Sequence, residues 1–164
     1  MERLNYPFVI YGYKGAEYFC DRKTETETIM RALHNERNMV LISPRRLGKT
    51  GLIHHALTQI TEAEPETKCF YMDINATRNL QQFVQQFAKT VIGKLDTPSQ
   101  SVFRKITTFF SSYKPTLSLD ELTGTPTFSI TISNDQKEES LRHILEYLKE
   151  SGKRIYIAID EFQQ

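Results

Sequence analysis

The chain has no tryptophan, only two cysteines, and few glycines and prolines, seven and six in 164 residues. Cys20 and Cys69 are too few and too far apart to build a disulfide framework or a metal-binding pair, so both read as reduced structural thiols. Neither charge sign is in excess: 21 basic against 20 acidic residues give a net +1, which supplies no general basic field for nucleic acid. No apolar run approaches the roughly 18 residues of a spanning helix. The first residues, Met1 to Tyr11, lack the apolar centre of a signal peptide. A cytoplasmic protein without membrane contact is expected, and nucleic acid is not an expected partner. The adjacent His54 and His55 do not share a helix face and make a poor metal pair, while His34 and His143 stand alone.

What is present is ordinary in bulk and specific in detail. A composition of 39% hydrophobic and 25% charged residues suits one soluble domain with its own core. Within it, Asn38-Met39-Val40-Leu41-Ile42-Ser43-Pro44-Arg45-Arg46-Leu47-Gly48-Lys49-Thr50 reads as a strand buried on both faces, a tight loop, and Gly-Lys-Thr opening a helix. A phosphate-binding loop needs this order: successive loop N–H groups converge on an anion at the positive end of the following helix. Gly48 permits close backbone approach, Lys49 reaches the β- and γ-phosphates, and the Thr50 hydroxyl suits magnesium. Ser43 replaces the first glycine of the full pattern G-x-x-x-x-G-K-S/T. A Ser with negative φ is tolerated there, and Pro44 favours an extended Ser43. Leu52, Ile53, Ala56, Leu57 and Ile60 then follow at helical spacing.

Near the other end, Arg154-Ile155-Tyr156-Ile157-Ala158-Ile159-Asp160-Glu161 is an apolar β-rich run finishing in two acids. Such a strand delivers carboxylates to the carboxyl edge of a parallel sheet, where open α/β sheets bind ligands. There Asp160 can hold the magnesium opposite Thr50, and Glu161 can orient and polarise the attacking water. Taken alone, the two acids could simply end a strand or start a helix. Their co-occurrence with Gly-Lys-Thr points to a nucleotide site.

Between the motifs the patterns alternate. A helix is expected over Asp21 to Asn35, capped by Asp21 or by a Thr24–Glu27 box, with Ile29, Met30 and Leu33 inward. A short strand follows over Lys68 to Asp73, where Asp73 either stands near the site or caps the next turn. A helix from Asn79 to Gly93 carries Leu80, Phe83, Val84, Phe87 and Val91 on one stripe. A helix over Ser99 to Tyr113 presents Val102, Ile106, Phe109 and Phe110. Leu117 and Leu119, then Phe128, Ile130 and Ile132, alternate as a hairpin across Gly124 and Pro126, which we read as an insertion at the sheet edge or periphery. The last helix, Lys137 to Ser151, offers Leu141, Ile144, Leu145 and Leu148, and Gly152 stops it. Strands alternating with helices imply an α/β fold with a mainly parallel sheet.

On these residues the chain resembles the archaeal-type P-loop ATPases, a branch of the AAA-like signal-transduction NTPases. The resemblance rests on Tyr18-Phe19-Cys20-Asp21-Arg22, on Ser43 to Thr50 as the Walker A loop with its Pro-Arg-Arg, and on Ala158 to Gln163 as Walker B. It implies a three-layer α/β/α P-loop NTPase domain over residues 1–164. ATP and magnesium would be its cofactors, coupling hydrolysis to a conformational switch. Ser43, Pro44, Arg45, Arg46, Leu47, Gly48, Lys49, Thr50 and Gly51 would cradle phosphate, Thr50 and Asp160 would serve the metal, and Lys49 and Glu161 the chemistry. The resemblance also places Phe19, Asp21 and Arg22 near the adenine, although Asp21 as a helix cap explains the same residues. Arg45 and Arg46 would meet phosphate or a neighbouring subunit, or else remain solvated. Proteins of this kind continue beyond Walker B with further strands, a sensor residue and a completing arginine. A truncated chain with an incomplete C-terminal half is therefore expected, whose partners or self-association run through the missing domains. A non-hydrolysing nucleotide-binding module controlling assembly is the alternative function.

Overall fold

A computed structural model describes residues 12–95, 116–119, 126–129 and 136–162. They fall into two compact units, Met1–Cys69 and Phe70–Gln164, taken in turn below.

In the first unit a short 3-10 turn, Ala16–Tyr18, leads into α1 (Lys23–His34), and α2 spans Lys49–Ala63. The two helices pack through Ile29 and Leu33 of α1 and Leu52 and Ala56 of α2, with Phe19 and Leu41 against the same cluster. The five apolar positions expected to point inward from α2 are all buried. Two expectations fail here. Neither Asp21 nor a Thr24–Glu27 box caps α1: the capping residue is Arg22, in the left-handed region with φ 60°, and it makes no side-chain capping hydrogen bond. Thr24 already lies inside the helix, where its carbonyl accepts from the Thr28 hydroxyl. Met39 to Ile42 do not form the buried strand their apolarity suggests, since Val40 is 83% and Ile42 90% exposed and only Leu41 packs inward. Apolarity cannot make a strand without a neighbour to pair its backbone, and among the described residues no strand pairs with this run.

In the second unit, β1 (Lys68–Asp73, from Phe70 onward) and β4 (Ile155–Asp160) form a two-stranded parallel sheet. Their carboxyl ends lie together, where the Ile74 N–H donates to the Asp160 carbonyl at 3.2 Å. Helices α3 (Leu80–Leu95) and α4 (Lys137–Glu150) cover one sheet face. Phe70 and Met72 of β1 meet Val84, Phe87, Val91 and Ile92 of α3 and Ile144, Tyr147 and Leu148 of α4, with Ile155, Ile157 and Ile159 packed against them. The alternation of β4 therefore sends its isoleucines to the helices and Tyr156, Ala158 and Asp160 to the opposite face. In α4 the inward stripe runs through Tyr147 rather than Leu145, which is 50% exposed. Residue 147 lies one turn along from Ile144, whereas 145 is rotated by about 100° from it. Leu80, at the α3 start, is likewise exposed.

Local chemistry sets the ends of these helices. Asn79 Oδ1 accepts from the Gln82 N–H at 2.9 Å, and Gln82 Oε1 accepts from the Arg78 N–H at 2.8 Å, a capping arrangement that starts α3. Lys153 Nζ reaches the Leu95 carbonyl at 3.1 Å and places a cation on the last turn of α3. Gly152, at φ 65°, ends α4 in the left-handed conformation expected of a glycine there. Asp73 Oδ1 accepts from the Asn75 N–H at 2.8 Å, the turn-capping role read from its position.

The hairpin is present as β2 (Thr116–Leu119) and β3 (Pro126–Ser129), antiparallel with Leu117 opposite Phe128. It forms its own sheet rather than extending β1–β4, and β3 lies beside α3. Pro126, expected in the connection, is the first residue of β3, a position where a strand tolerates proline. The helix expected over 99–113, and Gly124, Ile130 and Ile132, lie outside the described residues. Ile144 has no exposure to solvent. Its truncation to valine is expected to cost about 0.5–1.5 kcal/mol, read as a lower urea midpoint with an unchanged slope.

Candidate functional site

The loop from Ser43 to Thr50 turns twice through the left-handed region, at Arg46 (φ 66°) and Gly48 (φ 71°), before α2 begins at Lys49. Gly48 is the residue preceding the helix and has no side chain with which to cap it. A Cβ added at Gly48 would meet nothing within 4 Å, which makes its requirement conformational rather than steric. Lys49, Thr50 and Gly51 form the first turn. The Ser43 hydroxyl makes only a long contact, 3.4 Å, to the Pro44 carbonyl.

A cavity of about 340 Å³ opens beside this loop. Of the residues assigned to the nucleotide, Arg22, Ser43 and Lys49 line it, together with apolar Ile29, Met39, Leu41, Ile42 and Leu52. Phe19 and Asp21 do not line it. Phe19 instead stacks on His55 with ring centroids 4.1 Å apart, and its Cε2 lies 3.8 Å from where a Gly51 Cβ would stand. Asp21 is exposed with φ 64°, and Arg45, Arg46 and Leu47 are also exposed. Arg22 lies 3.8 Å from Glu25, a weak surface pairing.

His55, absent from the sequence-based site, organises the segment that carries Phe19. It is 8% exposed. The Gln59 amide nitrogen donates to its Nε2 at 2.9 Å, which puts the ring proton on Nδ1, 2.9 Å from the Tyr13 hydroxyl oxygen. Burial lowers its pKa, partly opposed by Glu62. A depressed pKa means that the neutral ring stabilises the folded chain fully above the unfolded value of about 6.5 and that this contribution is lost as pH falls through the folded value. The melting temperature is therefore expected to drop between about pH 7 and pH 5 more steeply in the wild type than in His55→Gln. Parallel profiles would remove His55 from this role.

In the second unit the acids sit at the carboxyl end of β4. Asp160 is 4% exposed. The Tyr71 hydroxyl of β1 donates to its Oδ2 at 2.9 Å, and the Glu161 N–H donates to its Oδ1 at 2.9 Å. Glu161 has φ 59°, so the chain swings off the strand immediately after the buried carboxylate. Five described non-glycine residues have positive φ, and four of them, Asp21, Arg22, Arg46 and Glu161, were singled out from the sequence. Such conformations cost about 1–3 kcal/mol each and cluster where function requires them. Among the described residues no group of three or more His, Cys, Asp or Glu side chains is placed to hold a metal, and no helix is long and apolar enough to cross a membrane. Burial raises the Cys69 thiol pKa, in keeping with an unreactive structural residue.

The family model of an ATPase domain predominantly from Archaea matches residues 19–164. It spans both motifs and most of the chain, and the protein belongs to that family. No curated protein and no solved structure gives a match.

Proposed function

We propose that this chain binds ATP with magnesium through a three-layer P-loop NTPase fold and hydrolyses it to ADP and phosphate, the turnover being coupled to a conformational switch. The observation that carries the reading is the Ser43–Thr50 loop. Its left-handed turns at Arg46 and Gly48 feed an α2 start whose first residues are Lys49 and Thr50, beside a cavity that Lys49 itself lines. Family membership over residues 19–164 supports the same reading.

In this proposal the loop N–H groups and Lys49 hold the β- and γ-phosphates, and Arg22 and Ser43 bound the cavity that receives the rest of the nucleotide. Thr50 in the first unit and Asp160 in the second each carry an oxygen donor of the type a hard divalent cation prefers. The buried Asp160 carboxylate, with a hydrogen bond on each oxygen, fits that use. Magnesium, when bound, neutralises charge on the phosphate oxygens. Glu161 orients the attacking water and accepts its proton. Titration of thermal stability with magnesium ATP, GTP and ADP tests the reading, because a ligand of the folded state must raise its stability by mass action. A well-folded sample with no shift for any of the three would overturn it.

A further inference from the structure

We propose that Tyr71 is a positioning residue for the Asp160 carboxylate and thereby sets the metal requirement of the site. The inference rests on the reading above, in which Asp160 serves magnesium. Strand periodicity places Tyr71 opposite in facing to Phe70 and Met72, whose side chains enter the helix-covered core. Asp160 likewise faces away from Ile155, Ile157 and Ile159. The two residues thus share the second face of the β1–β4 sheet. The backbone bond from Ile74 to Asp160 fixes the offset across which the phenol reaches diagonally.

A carboxylate on a strand end turns about two side-chain bonds and presents its oxygens in many directions. Here it is pinned from two sides: its Oδ1 accepts from the following backbone N–H, and its Oδ2 accepts from the Tyr71 hydroxyl, each at 2.9 Å. The backbone donor alone holds the carboxylate at one point. The phenol adds the second point and defines the plane. A carboxylate offers roughly four lone-pair positions, so a hydrogen bond on each oxygen is compatible with metal ligation. Partners that orient a metal ligand typically change affinity by about 10–100-fold when removed.

Tyr71→Phe deletes only the hydroxyl. In the full chain, it is expected to raise the concentration of Mn²⁺ needed for half-saturation about 10-fold, measured by electron paramagnetic resonance with a non-hydrolysable ATP analogue present. Analogue binding in EDTA should stay unchanged, which a general loss of structure would not allow. An unchanged Mn²⁺ requirement in the variant, with wild type binding metal and analogue, overturns the role of Tyr71. Wild type that binds neither overturns instead the nucleotide reading on which it rests. Should the variant fail to fold, 3-fluorotyrosine installed at position 71 decides the matter by fluorine NMR. Its resonance is expected to move when magnesium is added to the ATP complex, and a resonance indifferent to magnesium overturns the proposal.

Discussion

Glu161→Gln is expected to reduce ATP turnover by about 100- to 10,000-fold while leaving nucleotide binding in place. Glutamine keeps the shape of the side chain but carries no charge and accepts no proton from water. The substitution should also preserve the local frame. The contact that ties this residue to the site is its backbone N–H on Asp160 Oδ1, and the left-handed turn at φ 59° belongs to the backbone as well. Phosphate release under saturating magnesium ATP gives the turnover, and a thermal shift on the same sample gives the binding. Equal turnover in variant and wild type would mean that another group orients the water. Wild type that binds ATP and releases no phosphate would instead favour the regulatory module that Ser43, in place of glycine, also allows.

Lys49→Ala should abolish most of the stabilisation by magnesium ATP. At a ligand concentration 100 times Kd, a folded-state ligand adds about 2.7 kcal/mol, and in a protein of this length each kcal/mol moves Tm by about 2–4 °C. The wild type should therefore shift by about 5–10 °C. Lys49 is the first residue of α2, where alanine is at least as good a helix former. The apo melting temperature should hardly change, and the missing shift is then missing ligand. Because Lys49 lines the cavity together with Arg22 and Ser43, nucleotide that still shifted the variant fully would have to bind elsewhere.

The parts of the chain legible from sequence are those governed by short-range periodicity and end chemistry. The buried stripe of α2, the span of β1, the glycine stop at Gly152 and the turn at Asp73 all follow from neighbours within a few residues. The start of α1 resisted such reading. Asp21 and Thr24 have the right chemistry for a cap, yet consecutive left-handed residues at Asp21 and Arg22 turn the chain into the helix without one. Likewise Phe19 and Arg22, neighbours in one motif, part company: Arg22 lines the cavity, and Phe19 packs on His55.

Residue type and spacing along the chain suffice to place a Gly-Lys-Thr turn at the opening of an amphipathic helix and to end an apolar strand at Asp160, with Glu161 directly after it. Tertiary structure decided which apolar residues find cover. Met39 to Ile42 are as apolar as the inner face of β4, yet Val40 and Ile42 face solvent while Ile155, Ile157 and Ile159 pack on the core. It also decided that the Asp160 carboxylate is held by Tyr71, 89 positions away in the chain. Strand pairing and reach across a sheet are set by which segments become neighbours in space, and no local pattern around position 71 or position 40 carries that information.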